Sequence, residues 1–135
     1  AGLSRLGMLH VARGAVEADE MLPAVAQGCI GVEQRADDAR IGAMLAAIAN
    51  RDSGLRVTAE RAFLRRLDGS CQTPIAGLAV LNGDRLHLRG EILRPDGSEV
   101  IAGERIGPAA DGAAMGTDLA NELRTRAPAD FFDWG

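Results

Sequence analysis

Residues 75–105 read IAGLAVLNGDRLHLRGEILRPDGSEVIAGER, which is three apolar runs separated by two turn signals. Asn82-Gly83 between apolar runs is the strongest short-range signal of a β-hairpin, because Gly readily adopts the positive φ that a tight turn requires. Pro95-Asp96-Gly97 is a second turn sequence, since Pro presets φ and Asp and Gly favour the following positions. The stretch therefore predicts three antiparallel strands, over residues 75–81, 85–93 and 98–105.

The middle strand has one apolar and one polar side. Alternate residues belong to the two sides, Leu86, Leu88 and Ile92 on one and Arg85, His87, Arg89 and Glu91 on the other. Such alternation is typical of a sheet with one buried face and one solvated face. The segments before and after the strands have helical periodicity, and we expect these helices to cover the buried face of the sheet. The fold class that follows is α+β, a three-stranded antiparallel sheet covered on one face by helices in the order α-β-β-β-α.

Two helices are predicted around the strands. The first begins with Asp52 or Ser53 as its cap, and its Arg56 and Glu60 are expected to pair on the outer face. Its apolar residues repeat at helical spacing, at Leu55, Ala59, Ala62, Phe63 and Leu67. The second runs over residues 112–126, with Met115, Leu119 and Leu123 directed inward. The aromatic tail, residues 129–134, is expected to pack back as a short helical turn.

The N-terminal part has weaker signals. The chain opens at Ala1 without Met, which we interpret as a start inside a longer protein, and residues 1–22 show little structural character. Residues 22–33 form an extended apolar run that favours a connecting strand. A helix follows over residues 38–48, with Asp38 as its N-cap, Asn50 as its end and an Ala-rich face suited to a core.

A single cysteine lies between the first predicted helix and the first strand, in RRLDGSCQTPI at residues 65–75. Asp68-Gly69-Ser70 is turn chemistry, and Pro74 directs the chain into an extended segment. Cys71 is therefore presented on a loop. From the loop alone, a small buried hydrophobic residue is the favoured interpretation of Cys71.

Composition limits the classes of function. With 135 residues, 47% of them hydrophobic, and a net charge of −4, the chain fits about one globular domain and does not favour nonspecific nucleic-acid or anionic-membrane binding. No run approaches the roughly 20 apolar residues of a membrane span. Cys29 and Cys71 occur in unlike contexts, which fits a reducing, cytoplasmic compartment. His10 and His87 have no ligand partner at a suitable spacing, so no metal site is expected.

Three motifs in succession resemble a known family. LPAVAQG at residues 22–28, RVTAERA at 56–62 and LDGSCQTPIAG at 67–77 resemble, in order and spacing, the C-terminal part of the porphobilinogen deaminase (hydroxymethylbilane synthase) family. AGLSRLG at residues 1–7 and PDGS at 95–98 extend the resemblance over essentially the whole chain. Three departures are Ser70 and Ala26, each where Gly is usual, and the C-terminal tail.

The resemblance implies an enzyme that joins four porphobilinogen molecules into hydroxymethylbilane with release of ammonia. It implies a dipyrromethane primer held by a thioether to the cysteine at Cys71. It also implies three domains: residues 1–22 end domain 2, residues 23–50 are a hinge strand and helix returning into domain 1, and residues 51–135 are domain 3. Residues 1–50 would then be a partial segment of two domains of the periplasmic-binding-protein type.

The same resemblance assigns substrate-binding residues. Arg5 matches a family arginine that binds substrate carboxylates, and arginine suits this task because its guanidinium can fork onto a carboxylate. Gln27 and Gly28 match the strand that contacts pyrrole groups. Arg35 remains open between an anion contact and an ordinary surface role, and Cys29 is interpreted as structural. The helical arginines are interpreted as a solvated face, namely Arg56, Arg61, Arg65 and Arg66.

Other implications concern what this chain lacks. The family's catalytic aspartate belongs to the N-terminal domain, so we expect no catalytic residue in these 135 residues. The chain alone is expected to be inactive and to carry Cys71 as a free thiol. The whole enzyme is expected to be a monomer that binds neither nucleic acid nor membrane.

Two functions of another class remain as alternatives. The order α-β-β-β-α is shared with double-stranded-RNA-binding domains, which need basic residues at the start of the last helix. Here that region reads DGAAMGTD, residues 111–118. A structural module with an unrelated surface cysteine is the second alternative.

Overall fold

The computed structural model describes residues 2–68 and 74–132. Two short 3-10 turns lie at Leu9–Val11 and Ala109–Asp111. The helices and strands are, in chain order, α1 Gly2–Arg5, α2 Ala39–Ile48, α3 Arg51–Arg66, β1 Ile75–Asn82, β2 Arg85–Leu93, β3 Val100–Pro108 and α4 Gly112–Arg126. The α-β-β-β-α order predicted for the C-terminal half is confirmed.

The three strands form one antiparallel sheet in the order β1-β2-β3. Asn82 pairs with Arg85, so the two residues of the hairpin turn are Gly83 and Asp84. Gly83 has a positive φ of 64°, which tight hairpin turns require and glycine readily adopts. The third strand begins at Val100 and ends at Pro108, later than predicted at both ends. The difference arises because Arg94 and Glu99 bond across the second turn, where the Arg94 N–H donates to the Glu99 carbonyl, and thus extend the connection.

Helices α3 and α4 cover one face of the sheet, and the hydrophobic core lies between this pair of helices and the sheet. Leu86, Leu88 and Ile92 of β2 are fully buried there, which confirms the predicted alternation. Gly77, Gly90 and Gly103 face one another in register across the three strands. Phe63 of α3 lies over Gly77 and Gly90, and Leu119 and Leu123 of α4 lie over Gly103. The row of glycines lets a large ring approach the sheet closely.

The two covering helices also contact each other closely. Gly116 of α4 lies against the backbone of α3, where an added Cβ would meet the Ala59 carbonyl and lie 2.8 Å from the Phe63 nitrogen. Leu119 and Leu123 follow on the buried side of α4, as predicted. The close approach of α3 and α4 therefore depends on the absence of a side chain at residue 116.

The C-terminal tail packs back on the domain in a turn, as predicted, up to residue 132. Phe131 is fully buried, and the Arg94 guanidinium lies 5.0 Å from the centre of its ring. Arg94 also bonds Glu99 and Asp130, and these acidic partners raise its pKa above the ordinary arginine value. The predicted tail also includes Trp134, which lies outside the described residues.

Helix α2 begins as predicted, because the Asp38 carboxylate accepts from the Ile41 N–H at 2.9 Å. Asn50 does not end this helix. Its side chain accepts from the Ser53 N–H at 2.8 Å and so caps α3, which corrects the predicted caps Asp52 and Ser53. The Ala-rich face of α2 buries no residue, so its predicted role in a core is wrong within this chain.

The strand predicted over residues 22–33 does not form. Ala24 makes one isolated bridge to Ala76, and the chain then turns, with Ala26 at φ 58° and Gly28 at φ 79°. Left-handed residues interrupt the extended backbone, so the segment cannot continue along β1. Within the described chain this segment is a turn at the edge of the sheet.

Residues 18–26 wrap around the β1 edge of the sheet. On the solvated face, Arg89 donates to the Asp19 carboxylate at 2.6 Å and to the Ala18 carbonyl at 3.4 Å. Leu22 is buried, and the Pro23 carbonyl then accepts from the Gly77 N–H at 3.0 Å. The segment thus passes from the solvated face of the sheet toward α3.

Candidate functional site

The cysteine loop is entered from a well-anchored helix end. Cys71 lies outside the described residues, which stop at Asp68 and resume at Pro74. The Leu67 N–H donates to the carbonyls of Phe63 and Leu64, and Leu67 is only 5% exposed. Asp68 then turns the chain with φ 53°, a left-handed conformation that Asp tolerates better than most residues. The chain therefore turns at Asp68, as predicted, and the rest of the predicted turn, Gly69 and Ser70, lies outside the described residues.

The exit from the loop is anchored as well. The Pro74 carbonyl accepts from the Leu93 N–H at 3.0 Å, and Ile75 begins β1 in the core with 7% exposure. Pro74 therefore directs the chain into an extended strand, as predicted. The described residues on both sides of Cys71 are therefore anchored, Leu67 at the end of α3 and Pro74 at the start of β1.

Arg124 of α4 contacts the helix end that precedes the loop. Its guanidinium donates to the Arg66 carbonyl at 3.2 Å and lies 3.8 Å from the Asp68 carboxylate. The same group lies 5.9 Å from the centre of the Phe132 ring. A cation near the C-terminal end of a helix also interacts favourably with the helix dipole. Arg124 thus ties α4 and the tail to the entry of the loop.

A second group of polar contacts lies at the free edge of β1. An edge strand exposes unpaired N–H and C=O groups, which natural proteins cover. Here the Glu60 carboxylate accepts from the Ala79 N–H at 2.7 Å, and the Arg56 Nε donates to the Ala79 carbonyl at 2.6 Å. Both outward backbone groups of Ala79 are therefore satisfied by side chains of α3.

Glu60 also holds the turn that follows Pro23. Its other carboxylate oxygen accepts from the Ala26 N–H at 2.7 Å, and the residue is only 5% exposed. The predicted pair of Arg56 and Glu60 on the outer face is therefore wrong. The two side chains point to the sheet edge and bind backbone there.

This junction lines a cavity of about 140 Å³. Gln27 and Gly28, two of the predicted substrate-binding residues, line it together with Arg56 and Glu60. Both Gln27 and Gly28 are otherwise exposed, so they are accessible from solvent. The structure therefore brings two of the predicted site residues into one concave site beside a buried carboxylate.

Arg5 is not among the residues that line this cavity. It ends the short helix α1, whose residues are all exposed. Arg35 is exposed in the segment before α2. Cys29 is an exposed free thiol at the rim of the same cavity, in contrast to the structural role expected for it.

Sequence reasoning assigned Glu60 to the wrong side of α3. The signal was available, because Glu60 stands three residues before Phe63 and seven before Leu67, and these spacings place all three on one helical face. A charged residue on an apolar stripe is a candidate for a specific buried interaction, since unpaired buried charges are avoided. Helical periodicity does not show which two backbone N–H groups the Glu60 carboxylate binds.

Comparison with protein families identifies the C-terminal half. A family model described as the C-terminal domain of porphobilinogen deaminase matches residues 54–125, more than half of the chain. The chain belongs to the porphobilinogen deaminase family. A second model, described as the dipyrromethane cofactor binding domain of porphobilinogen deaminase, matches residues 1–43. The family resemblance seen in the sequence is confirmed, and in this member Cys71 falls within the first match.

Individual relatives agree with this family. The chain is 87% identical over 134 residues to a porphobilinogen deaminase from Paracoccus denitrificans, a match that covers 99% of this chain and 43% of the relative. It is 51% identical over 132 residues to the porphobilinogen deaminases of Nitrobacter hamburgensis and Nitrobacter winogradskyi, with 98% of this chain and 42% of each relative covered. The chain thus spans less than half the length of these relatives, and these matches give no support to a nucleic-acid-binding or unrelated structural module.

Two further properties of the described residues bear on the site. Residues 2–68 and 74–132 contain no group of three His, Cys, Asp or Glu side chains that could hold a metal ion. In the same part of this family member, no helix has the length and apolar character required to cross a membrane.

Proposed function

We propose that this chain is the C-terminal part of an enzyme that joins four porphobilinogen molecules into hydroxymethylbilane and releases ammonia. The observation that carries the proposal is the match of residues 54–125 to the C-terminal domain of porphobilinogen deaminase. The identity of 87% to a named porphobilinogen deaminase over nearly the whole chain supports the same activity. In this proposal the enzyme acts as a transferase of tetrapyrrole biosynthesis.

Cys71 would hold the dipyrromethane through a thioether. A thiol fits this group because sulfur is a better nucleophile than a hydroxyl oxygen near neutral pH and forms a stable carbon–sulfur bond. The anchored loop ends also fit, since Leu67 and Ile75 are buried on either side of the loop. When bound, the dipyrromethane supplies the primer on which the product is extended. In this proposal α3 and β1 anchor the two ends of the segment that carries Cys71.

Arg5, Gln27 and Gly28 are proposed to bind substrate. Porphobilinogen carries acetate and propionate groups, which a guanidinium can bind through two parallel hydrogen bonds. The shared cavity of Gln27 and Gly28 supports their assignment to one site. Arg5 belongs to a separate segment and would reach the same substrate only in the complete enzyme.

The domain assignment is proposed on the same basis. Residues 1–22 would end domain 2, residues 23–50 would return to domain 1, and residues 51–135 would form domain 3. The start of α3 at Arg51 supports the last of these limits. We further propose a monomeric cytoplasmic enzyme that binds neither nucleic acid nor membrane.

A cysteine-specific experiment tests the function in the complete enzyme that contains this chain. Porphobilinogen consumption and intact mass are measured for the unaltered protein, for Cys71→Ala and for the control Cys29→Ala. We expect the unaltered protein and the control to consume porphobilinogen and to carry a mass increment of two pyrrole units. Cys71→Ala should lose both. Full activity and an adduct in Cys71→Ala would refute the proposed attachment, and an unaltered enzyme without activity would refute the function.

A further inference from the structure

Glu60 joins three parts of the chain. One carboxylate oxygen accepts from Ala26, which lies 34 residues earlier, and the other accepts from Ala79, which lies 19 residues later. A carboxylate only accepts hydrogen bonds, so it satisfies two N–H donors at once, whereas an amide can offer only one accepting oxygen. The chemistry of the residue therefore matches the two donors that face it.

The bond to Ala26 is made to a residue in an unfavourable conformation. Ala26 has φ 58°, which a residue with a Cβ adopts only at a cost of about 1–2 kcal/mol. A hydrogen bond from its N–H to a buried charged group is among the stronger kinds of hydrogen bond and offsets such a cost. Glu60 therefore stabilises the left-handed turn at Ala26.

The residues that follow Ala26 are those that line the cavity. Gln27 continues directly from the left-handed residue, and its N–H donates to the Ala24 carbonyl at 3.2 Å. Gly28 follows with φ 79°, and the Cys29 N–H donates to the Ala26 carbonyl at 3.3 Å. The direction in which Gln27 and Gly28 face is therefore set by the conformation of Ala26.

The carboxylate itself is well fixed. Arg56, one turn earlier in α3, donates to the carbonyl of the same Ala79 whose N–H binds Glu60. Two side chains of α3 thus hold one residue of β1 from both of its backbone groups. The turn at Ala26 is thereby attached to helix α3 and strand β1. The same helix ends directly before the segment that contains Cys71.

We propose that Glu60 is a positioning residue for substrate binding, which acts by holding Ala26 in the left-handed conformation and so orienting Gln27 and Gly28 in the cavity. The proposal rests on the proposed function, because it assigns Gln27 and Gly28 to the porphobilinogen site. Glu60 does not touch substrate in this role. Its effect is therefore on substrate affinity through the turn, with the chemical step left intact.

The test uses the complete enzyme with porphobilinogen as substrate and compares Glu60→Gln, Ala26→Gly and the double variant. Glu60→Gln keeps the volume but loses one accepting oxygen, so KM should rise about tenfold, the change expected from one buried hydrogen bond, while kcat stays within about twofold. Ala26→Gly alone gives the KM with which the double variant is compared. In the double variant most of the rise in KM should disappear, because Gly adopts positive φ without support.

Ile101→Val is the control for lost stability, since it removes one buried methylene on β3, the far edge strand, and does not touch the turn. This control should lower the Tm and leave KM unchanged. An equal KM in Glu60→Gln and the unaltered enzyme, or a double variant as impaired as Glu60→Gln, would overturn the proposal. Failure of the proposed function is distinguished by an unaltered enzyme that does not consume porphobilinogen.

Hydrogen exchange of the unaltered enzyme covers the case in which Glu60→Gln does not fold. The Ala26 amide should exchange far more slowly than in an unstructured peptide, because its N–H is bonded to a buried acceptor. Exchange of this amide at the rate of an unstructured peptide would contradict the proposal that Glu60 holds the turn at Ala26.

Discussion

The ring of Phe63 packs directly on Gly90, so that a Cβ built at residue 90 would lie 2.6 Å from the ring carbon Cζ. Phe63 is fully buried, and close-packed protein interiors leave little room for a ring to shift. We therefore expect Gly90→Ala to destabilise the domain by about 1–3 kcal/mol, the usual range for overpacking. Urea unfolding of the chain measures this difference.

Gly54→Ala is the matched control for Gly90→Ala, because an added Cβ at residue 54 of α3 meets no atom within 4 Å. This change should be neutral or stabilise the helix by up to about 1 kcal/mol, since Ala favours helix over Gly. A Gly90→Ala protein as stable as the unaltered chain would contradict the close packing of Phe63 on β2.

Gly116 should be still less tolerant of a side chain. At this position the added Cβ would meet backbone atoms of Ala59 and Phe63, which cannot rotate away as a side chain can. We expect Gly116→Ala to lower the free energy of unfolding by more than Gly90→Ala, because α3 and α4 must separate. Equilibrium unfolding of both variants checks the order, and an unchanged stability of Gly116→Ala would refute the direct helix contact.

Glu122 is expected to link stability to pH. Arg105 and Arg126 bond its carboxylate at 2.6 and 2.9 Å and lower its pKa below the ordinary value of 4.5. A lowered pKa in the folded state contributes stability above the ordinary value, and this stability is lost as the pH falls through the folded pKa. At pH 7 Glu122→Gln should therefore cost up to about 1 kcal/mol, as for exposed ion pairs.

The cost of Glu122→Gln should be smaller at about pH 3 than at pH 7, because the stability that the lowered pKa of Glu122 contributes is lost as the pH falls from the ordinary value through the folded-state value. Unfolding at the two pH values measures the change. Glu91→Gln is the control, since Glu91 makes no ion pair within the described residues. A cost of Glu122→Gln that is equal at both pH values would show that the ion pairs do not stabilise the fold.

Thiol labelling is expected to distinguish the chain from the complete enzyme. The 135-residue chain should react with two equivalents of an alkylating reagent, at exposed Cys29 and at Cys71 carrying no group. Cys71→Ala should react with one. Intact mass and peptide mapping measure the labels, and a two-pyrrole adduct on the purified chain would contradict the expected free thiol.

Local sequence rules predicted the C-terminal half well. The strands around Asn82-Gly83, the buried side of β2 and the limits of α4 follow from turn chemistry and periodicity, because neighbours in sequence decide them. The same rules were wrong for residues 22–33 and for the buried face of α2. A strand and a buried helix face both need partners from elsewhere in the chain, which local sequence does not specify.

For the candidate site, the sequence alone shows a thiol at Cys71 among turn residues, and its resemblance to the family predicts that Gln27 and Gly28 bind a pyrrole substrate. The bonds of Glu60 and Arg56 to the backbone of Ala79, and the left-handed turn at Ala26, become visible only in the folded chain. The physical reason is that residue type and helical spacing show which groups can bond. The partners of Glu60, 34 residues earlier and 19 residues later, are selected by the packing of α3 against the edge of β1.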